Sequence, residues 1–149
     1  MKYPEPDSVS IFASAGYGKT EILCMRLLAI YLANAENIRK TSAMTFTRSA
    51  AGEMLERTFM LAAGGLSNDK EFVDFRKKLI HLNEMDIFQQ LTREELEQLL
   101  VLLAEKLSEL NISTIDSFMV SMAGAYPMEL GFFRPPARRT SGKPAADFV

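Results

Sequence analysis

Gly16, Gly18, Lys19 and Thr20 stand together in the stretch ASAGYGKT, residues 13–20, and residues of these types at this spacing can hold a phosphate. In a turn that joins a strand to a helix, successive backbone N–H groups point inward and the helix dipole adds partial positive charge. Gly16 and Gly18 can take the positive φ and close approach that such a nest requires. Lys19 would then reach the β and γ phosphates as a point charge, and the Thr20 hydroxyl would ligate Mg²⁺. Ala13, Ser14, Ala15, Gly16, Tyr17, Gly18, Lys19 and Thr20 are therefore the candidate ATP and Mg²⁺ site, with Lys19 and Thr20 as the candidate catalytic pair and Thr20 as the metal ligand. The general pattern GxxxxGK followed by Ser or Thr has glycine where Ala13 stands.

Such a loop needs a strand before it and a helix after it. Residues 8–13, SVSIFA, are short, apolar and partly β-branched, as in a buried parallel strand. Thr20 to Asn34 reads as a helix apolar on nearly every side, which requires cover on more than one side. A polar stretch, NAENIRKT, leads to a second extended run, SAMTFT at 42–47, so strand, helix and strand form a parallel crossover. Ser49 to Ala63 reads as a helix that stops at Gly64 and Gly65.

Residues 66–110 read as a helical insertion. Asn68 with Glu71 and Thr92 with Glu95 have N-cap and N3 spacing, and Leu96, Leu99, Leu100, Leu103, Leu107 and Leu110 form one apolar stripe. Between Glu84 and Glu109 seven acids face only Arg93 and Lys106, so this surface is expected to be solvated and not to touch a phosphate backbone. NISTI at 111–115 is a third strand, followed by a helix from about Asp116 to Tyr126. After Pro127 the chain turns polar, and 135–149 carries too little patterned apolar content to predict structure. The class expected is α/β, a partial parallel sheet with flanking helices, in one domain over 1–149.

The formal net charge of -2 gives no global attraction to nucleic acid or anionic membrane, so any such contact rests on local residues. Cys24 falls in the apolar helical run and is expected to pack, and His81 stands alone, which disfavours a histidine-rich metal site. The start MKYPEPDSV lacks the apolar centre of a secretory signal, and no apolar run approaches spanning length. A cytoplasmic location without membrane contact is expected.

ASAGYGKT, AMTFTRSAAGEM at 43–54 and ISTIDSF at 112–118 occur in the order and style of the N-terminal part of UvrD-like superfamily 1 DNA helicases. The sequence most resembles the RecB and AddA branch, in which the loop commonly begins with alanine, and the likeness extends over about 8–134, including YPMELGFF. The resemblance implies a partial P-loop, RecA-like sheet and an ATP-dependent helicase of DNA unwinding and recombinational repair. It also implies single-stranded DNA along Thr45, Phe46, Thr47 and Arg48, a second DNA contact at Ser117 and Phe118, and a nuclease or helicase partner subunit. Phe46 could stack on a base, while the hydroxyls, Arg48 and a helix N-terminus suit phosphate. On residue type alone, strand core is the favoured reading for Phe46 and a solvated helix start for Arg48.

Three positions depart from the family pattern. Asp116 stands where the family usually has histidine, and an anion there is unfavourable beside DNA phosphate. Glu21 replaces a residue that often lies near the base, and no glutamine precedes the loop. No apolar strand ends in the Asp-Glu pair that would hold Mg²⁺ and position water, since Glu94 and Glu95 follow QQLTR at a helix start. The expectation is a truncated helicase portion that binds ATP without hydrolysing it alone, its end marked by Arg134, Arg138, Arg139 and Lys143, with apolar surface awaiting cover. A non-catalytic ATP-binding or assembly module and a small P-loop phosphotransferase are the rival readings.

Overall fold

The computed structural model describes residue 10, residues 18–83 and residues 86–125. The strand expected at 8–13, the loop residues Ala13 to Tyr17 and the tail at 135–149 lie outside the described residues, apart from Ser10.

The described chain is mixed helix and strand. Helix α1 spans Lys19–Ala33, the short helix α2 Asn37–Lys40, strand β1 Ser42–Thr45, α3 Arg48–Gly65, α4 Asp69–Asn83, α5 Arg93–Glu105, β2 Asn111–Thr114 and α6 Ile115–Ala125. β1 and β2 pair in parallel, Ser42 opposite Asn111 and Thr45 opposite Thr114, joined by a crossover that contains α3, α4 and α5.

α1 is buried as its composition demands. Cys24, Met25, Leu28, Ala29 and Tyr31 are essentially inaccessible, and α3, α4 and α5 all pack on the helix. Phe72, Phe75 and Leu79 of α4, Phe88 and Leu91 of the following turn, and Leu96, Leu99 and Leu103 of α5 join the same core. The helical block at 66–110 thus has a dry side and a wet side. Its leucines close over α1 while Glu94, Glu97 and Glu105 face solvent. The expected leucine stripe ends early, because α5 stops at Lys106 and Leu107 is exposed in a short 3-10 turn.

Buried polar groups find local acceptors. The Thr58 hydroxyl donates to the Met54 carbonyl at 2.8 Å, and Asn37 Nδ2 donates to the Ile30 carbonyl at 3.1 Å, which fixes α2 on the end of α1. The Cys24 thiol points at the Met54 carbonyl, and burial pushes its pKa up, as suits a packing residue.

Boundaries differ from the sequence reading by a residue or two, among them Ile115, which opens α6 and does not extend β2. The extended run stops at Thr45, not Thr47, because Thr47 leaves the ladder to cap α3. α3 takes in the glycine pair and ends at Gly65, the pair at which its stop is expected. A Cβ on Gly65 would meet Phe75 Cγ at 2.9 Å and Leu96 Cδ2 at 3.1 Å, so the bare backbone lets α4 and α5 approach. Arg93 then gathers the three helices by donating to the Leu66 carbonyl at 2.6 Å and pairing with Asp69, its guanidinium over the Phe72 ring. The stretch NAENIRKT also contains the unexpected helix α2.

Ahead of the sheet, Arg39 forks onto Glu109 with two hydrogen bonds of 2.7 Å, and Asn111 Nδ2 donates to the Arg39 carbonyl at 3.1 Å. The Arg39 guanidinium holds the Glu109 carboxyl below its ordinary range.

Gly65→Ala is expected to cost about 1–3 kcal/mol by overpacking. Gly64→Ala, where nothing lies within 4 Å, should gain roughly 0.5–1 kcal/mol from helix propensity. Chemical denaturation of the two variants checks both signs. Because the folded pKa of Glu109 is lowered, its contribution is present above the unfolded glutamate value of about 4.3 and is lost as pH falls through the folded one. Glu109→Gln should therefore unfold with a shallower acid limb than the parent in a pH series.

Candidate nucleotide and nucleic-acid site

Of the residues expected to form a nucleotide loop, the structure describes Gly18, Lys19 and Thr20. Gly18 is the N-cap of α1 with φ 69 and ψ 22, a left-handed conformation that glycine takes without strain. Its carbonyl accepts from Ile22 N at 3.1 Å, and it supplies no side-chain cap. α3 and α5 are built differently, each with a threonine whose hydroxyl accepts from an amide of the first turn. The helix that starts with Lys19 and Thr20 thus has backbone and dipole at its amino end with no side-chain cap from its N-cap residue, a donor set that fits a phosphate. Lys19 is exposed and Thr20 half-buried. Among the described residues, no group of three His, Cys, Asp or Glu side chains could hold a metal ion.

The second half lies where the parallel strands end. Both β1 and β2 pass directly into helices, so the amino ends of α3 and α6 emerge at the carboxyl edge of the sheet, the edge at which open α/β sheets take ligands. Thr45 Oγ1 donates to the Thr47 carbonyl at 2.9 Å, and Thr47 Oγ1 accepts from Ala50 N at 3.1 Å. These two bonds turn the chain sharply and leave Phe46 between them, 89% exposed. Phe46 is therefore no strand-core residue, and a stacking face is on offer. Arg48 is exposed at the first position of α3.

On the neighbouring strand, buried Thr114 accepts from Ser117 N at 3.1 Å and donates to Ser117 Oγ at 2.8 Å. Sequence reasoning missed Thr114, though a threonine three residues before a serine at a strand-to-helix junction is the signal of such a cap. Arg48, Ala51, Gly52, Leu55, Ile112, Ser113, Thr114 and Ser117 line one open cleft of about 340 Å³. Arg48 and Ser117 are thus brought together. Phe118 is half-buried and does not line that cleft.

Residues 3–142 match the family model of the UvrD/REP helicase N-terminal domain. The chain belongs to that family. Among curated relatives, an ATP-dependent helicase/nuclease subunit from Clostridium botulinum (strain Hall) is 39% identical over 79 residues, and its namesake from Syntrophomonas wolfei 35% identical over 77 residues. Each alignment covers 52% of this chain and 6% of the relative, so the chain spans a small fraction of their length. No solved structure matches.

Within this UvrD/REP helicase domain the departures from the family pattern acquire local explanations. Asp116 is exposed in the first turn of α6, where a carboxylate is favoured by the helix dipole whatever it does to DNA. Glu95 accepts from Thr92 N at 3.0 Å and completes a capping box, so the acidic pair Glu94 and Glu95 serves a helix start. Glu21 pairs with Lys78 of α4 at 2.9 Å.

Phe46→Ala is expected to leave unfolding free energy within about 0.5 kcal/mol of the parent, as an exposed side chain should. Thr47→Ala should cost about 1 kcal/mol through loss of the α3 cap. A larger loss for Phe46→Ala in chemical denaturation would restore its core reading.

Proposed function

We propose that this chain is the ATP-binding N-terminal portion of an ATP-dependent DNA helicase, with the P-loop, RecA-like arrangement that its family membership implies. Residues 13–20 form the nucleotide loop. Lys19 holds the β and γ phosphates, and the Thr20 hydroxyl is the side chain here that would ligate Mg²⁺. The observation that carries the reading is the left-handed Gly18 opening a long buried helix whose first residues are Lys and Thr. Bound Mg²⁺ would supply neutralisation of phosphate charge.

Single-stranded DNA lies along the carboxyl edge of the sheet. Phe46 stacks on a base, Arg48 and the amino end of α3 attract phosphate, and Thr45 and Thr47 hold the turn that presents Phe46. Ser117, at the cleft shared with Arg48, gives a second contact, with Phe118 beside it. Asp116 weakens phosphate contact at that end, so the Phe46 to Arg48 segment carries most of the affinity. The name shared by the relatives supports helicase and nuclease work in one larger assembly, and a partner subunit belongs to the proposal.

Binding without turnover is the expected behaviour of this stretch, because no apolar strand in it ends in the acidic pair that phosphate hydrolysis requires. Fluorescence titration with MANT-ATP and Mg²⁺ should show saturable binding that Lys19→Ala weakens by at least about tenfold, the loss of one phosphate-bound charge. Phe46→Ala should weaken binding of a labelled oligothymidylate by roughly five- to a hundredfold, the worth of one base stack. DNA-stimulated ATP hydrolysis by the isolated chain would contradict the reading of binding alone.

A further inference from the structure

Glu21 is out of place beside a phosphate site. It is the third residue of α1, directly after Lys19 and Thr20. A carboxylate in the first turn suits a helix's own dipole, yet it repels any polyphosphate bound at the same amino end. The structure supplies a counter-charge from elsewhere in the chain. Lys78 of α4 places its ammonium 2.9 Å from Glu21 Oε1, across 57 residues of sequence. Asp74 stands one turn earlier on α4 and lines the same small cavity as Lys78, but the ion pair is made with Glu21 on α1.

Rigid packing holds the two ends of this pair. α4 is fixed by Phe72, Phe75 and Leu79 in the common core, with Leu79 fully buried next to Lys78 in sequence. α1 is fixed by Cys24, Met25 and Leu28 within two turns of Glu21. The core thus fixes the two helices that carry the pair, while the ammonium meets Glu21 at the surface where α1 and α4 pack.

We propose that Lys78 is a positioning residue of the nucleotide site. It neutralises Glu21 and keeps the amino end of α1 attractive to the phosphates of a nucleoside triphosphate. The proposal rests on the nucleotide site at residues 13–20 put forward above. It makes α4, far from the loop in sequence, part of the machinery that sets nucleotide affinity. The pair is half in solvent, so its worth lies in the field at the phosphate more than in fold stability.

The test measures MANT-ATP affinity with Mg²⁺ for the parent, Lys78→Ala, Lys78→Arg, Glu21→Gln and the double variant Glu21→Gln with Lys78→Ala, with thermal midpoints in parallel. Lys78→Ala should weaken binding about three- to tenfold, the effect of one solvent-screened charge near the phosphates, and raising salt should shrink the difference. Lys78→Arg should restore affinity, and the double variant should regain parent affinity, while midpoints barely move. Lys78→Ala that binds as tightly as the parent, or a double variant as weak as Lys78→Ala, overturns the proposal while the nucleotide site stands. A parent that binds no MANT-ATP overturns the nucleotide site and this proposal with it.

Discussion

The need to cover α1 on all sides shapes everything else in the described structure. A helix carrying Cys24, Met25, Leu27, Leu28, Ala29 and Tyr31 has no face that can be left in water, and the two-stranded sheet alone is too small to cover it. α3, α4 and α5 cover most of it, with Leu23 left 44% exposed, and the glycine at 65 lets α4 and α5 approach α3. The same burial fixes the direction of α1 and hence where its first turn, with Lys19 and Thr20, points. The position of the amino end of α1 is thus a by-product of core packing.

Much of this was legible in the sequence because the signals are local. The all-round apolar pattern of 20–34, the capping pairs Asn68 with Glu71 and Thr92 with Glu95, and the extended runs at 42 and 111 each correspond to an element of the structure. The misreadings arise where tertiary contact overrides a local rule. Leu107 and Leu110 keep the helical spacing of Leu96 and Leu103, yet the helix has already ended at Lys106, because the chain must turn toward β2.

The candidate site was proposed from residue type, and its geometry was not legible in the sequence. By composition Phe46 reads as core, since stacking aromatics and buried aromatics look alike until the backbone around them is known. What exposes it is a pair of hydroxyl bonds from Thr45 and Thr47, invisible in a hydropathy pattern. The Lys78 contact with Glu21 could not be read at all, because pairing across two packed helices leaves no periodic trace. The difference between a glycine-capped and a threonine-capped helix start, by contrast, is written in single letters at positions 18, 47 and 92.

Parallel pairing of β1 with β2 has a kinetic consequence. The ladder from Ser42 opposite Asn111 to Thr45 opposite Thr114 joins segments separated by three helices, so it closes a long loop and its entropic cost falls due before any strand contact offsets it. Collapse of α3, α4 and α5 around α1 shortens that search, and the fork of Arg39 on Glu109 then brings the two strand starts together. The edge that presents Phe46, Arg48 and Ser117 is accordingly among the last features to assemble. During synthesis it cannot exist before the ribosome has released residues as far along as Thr114.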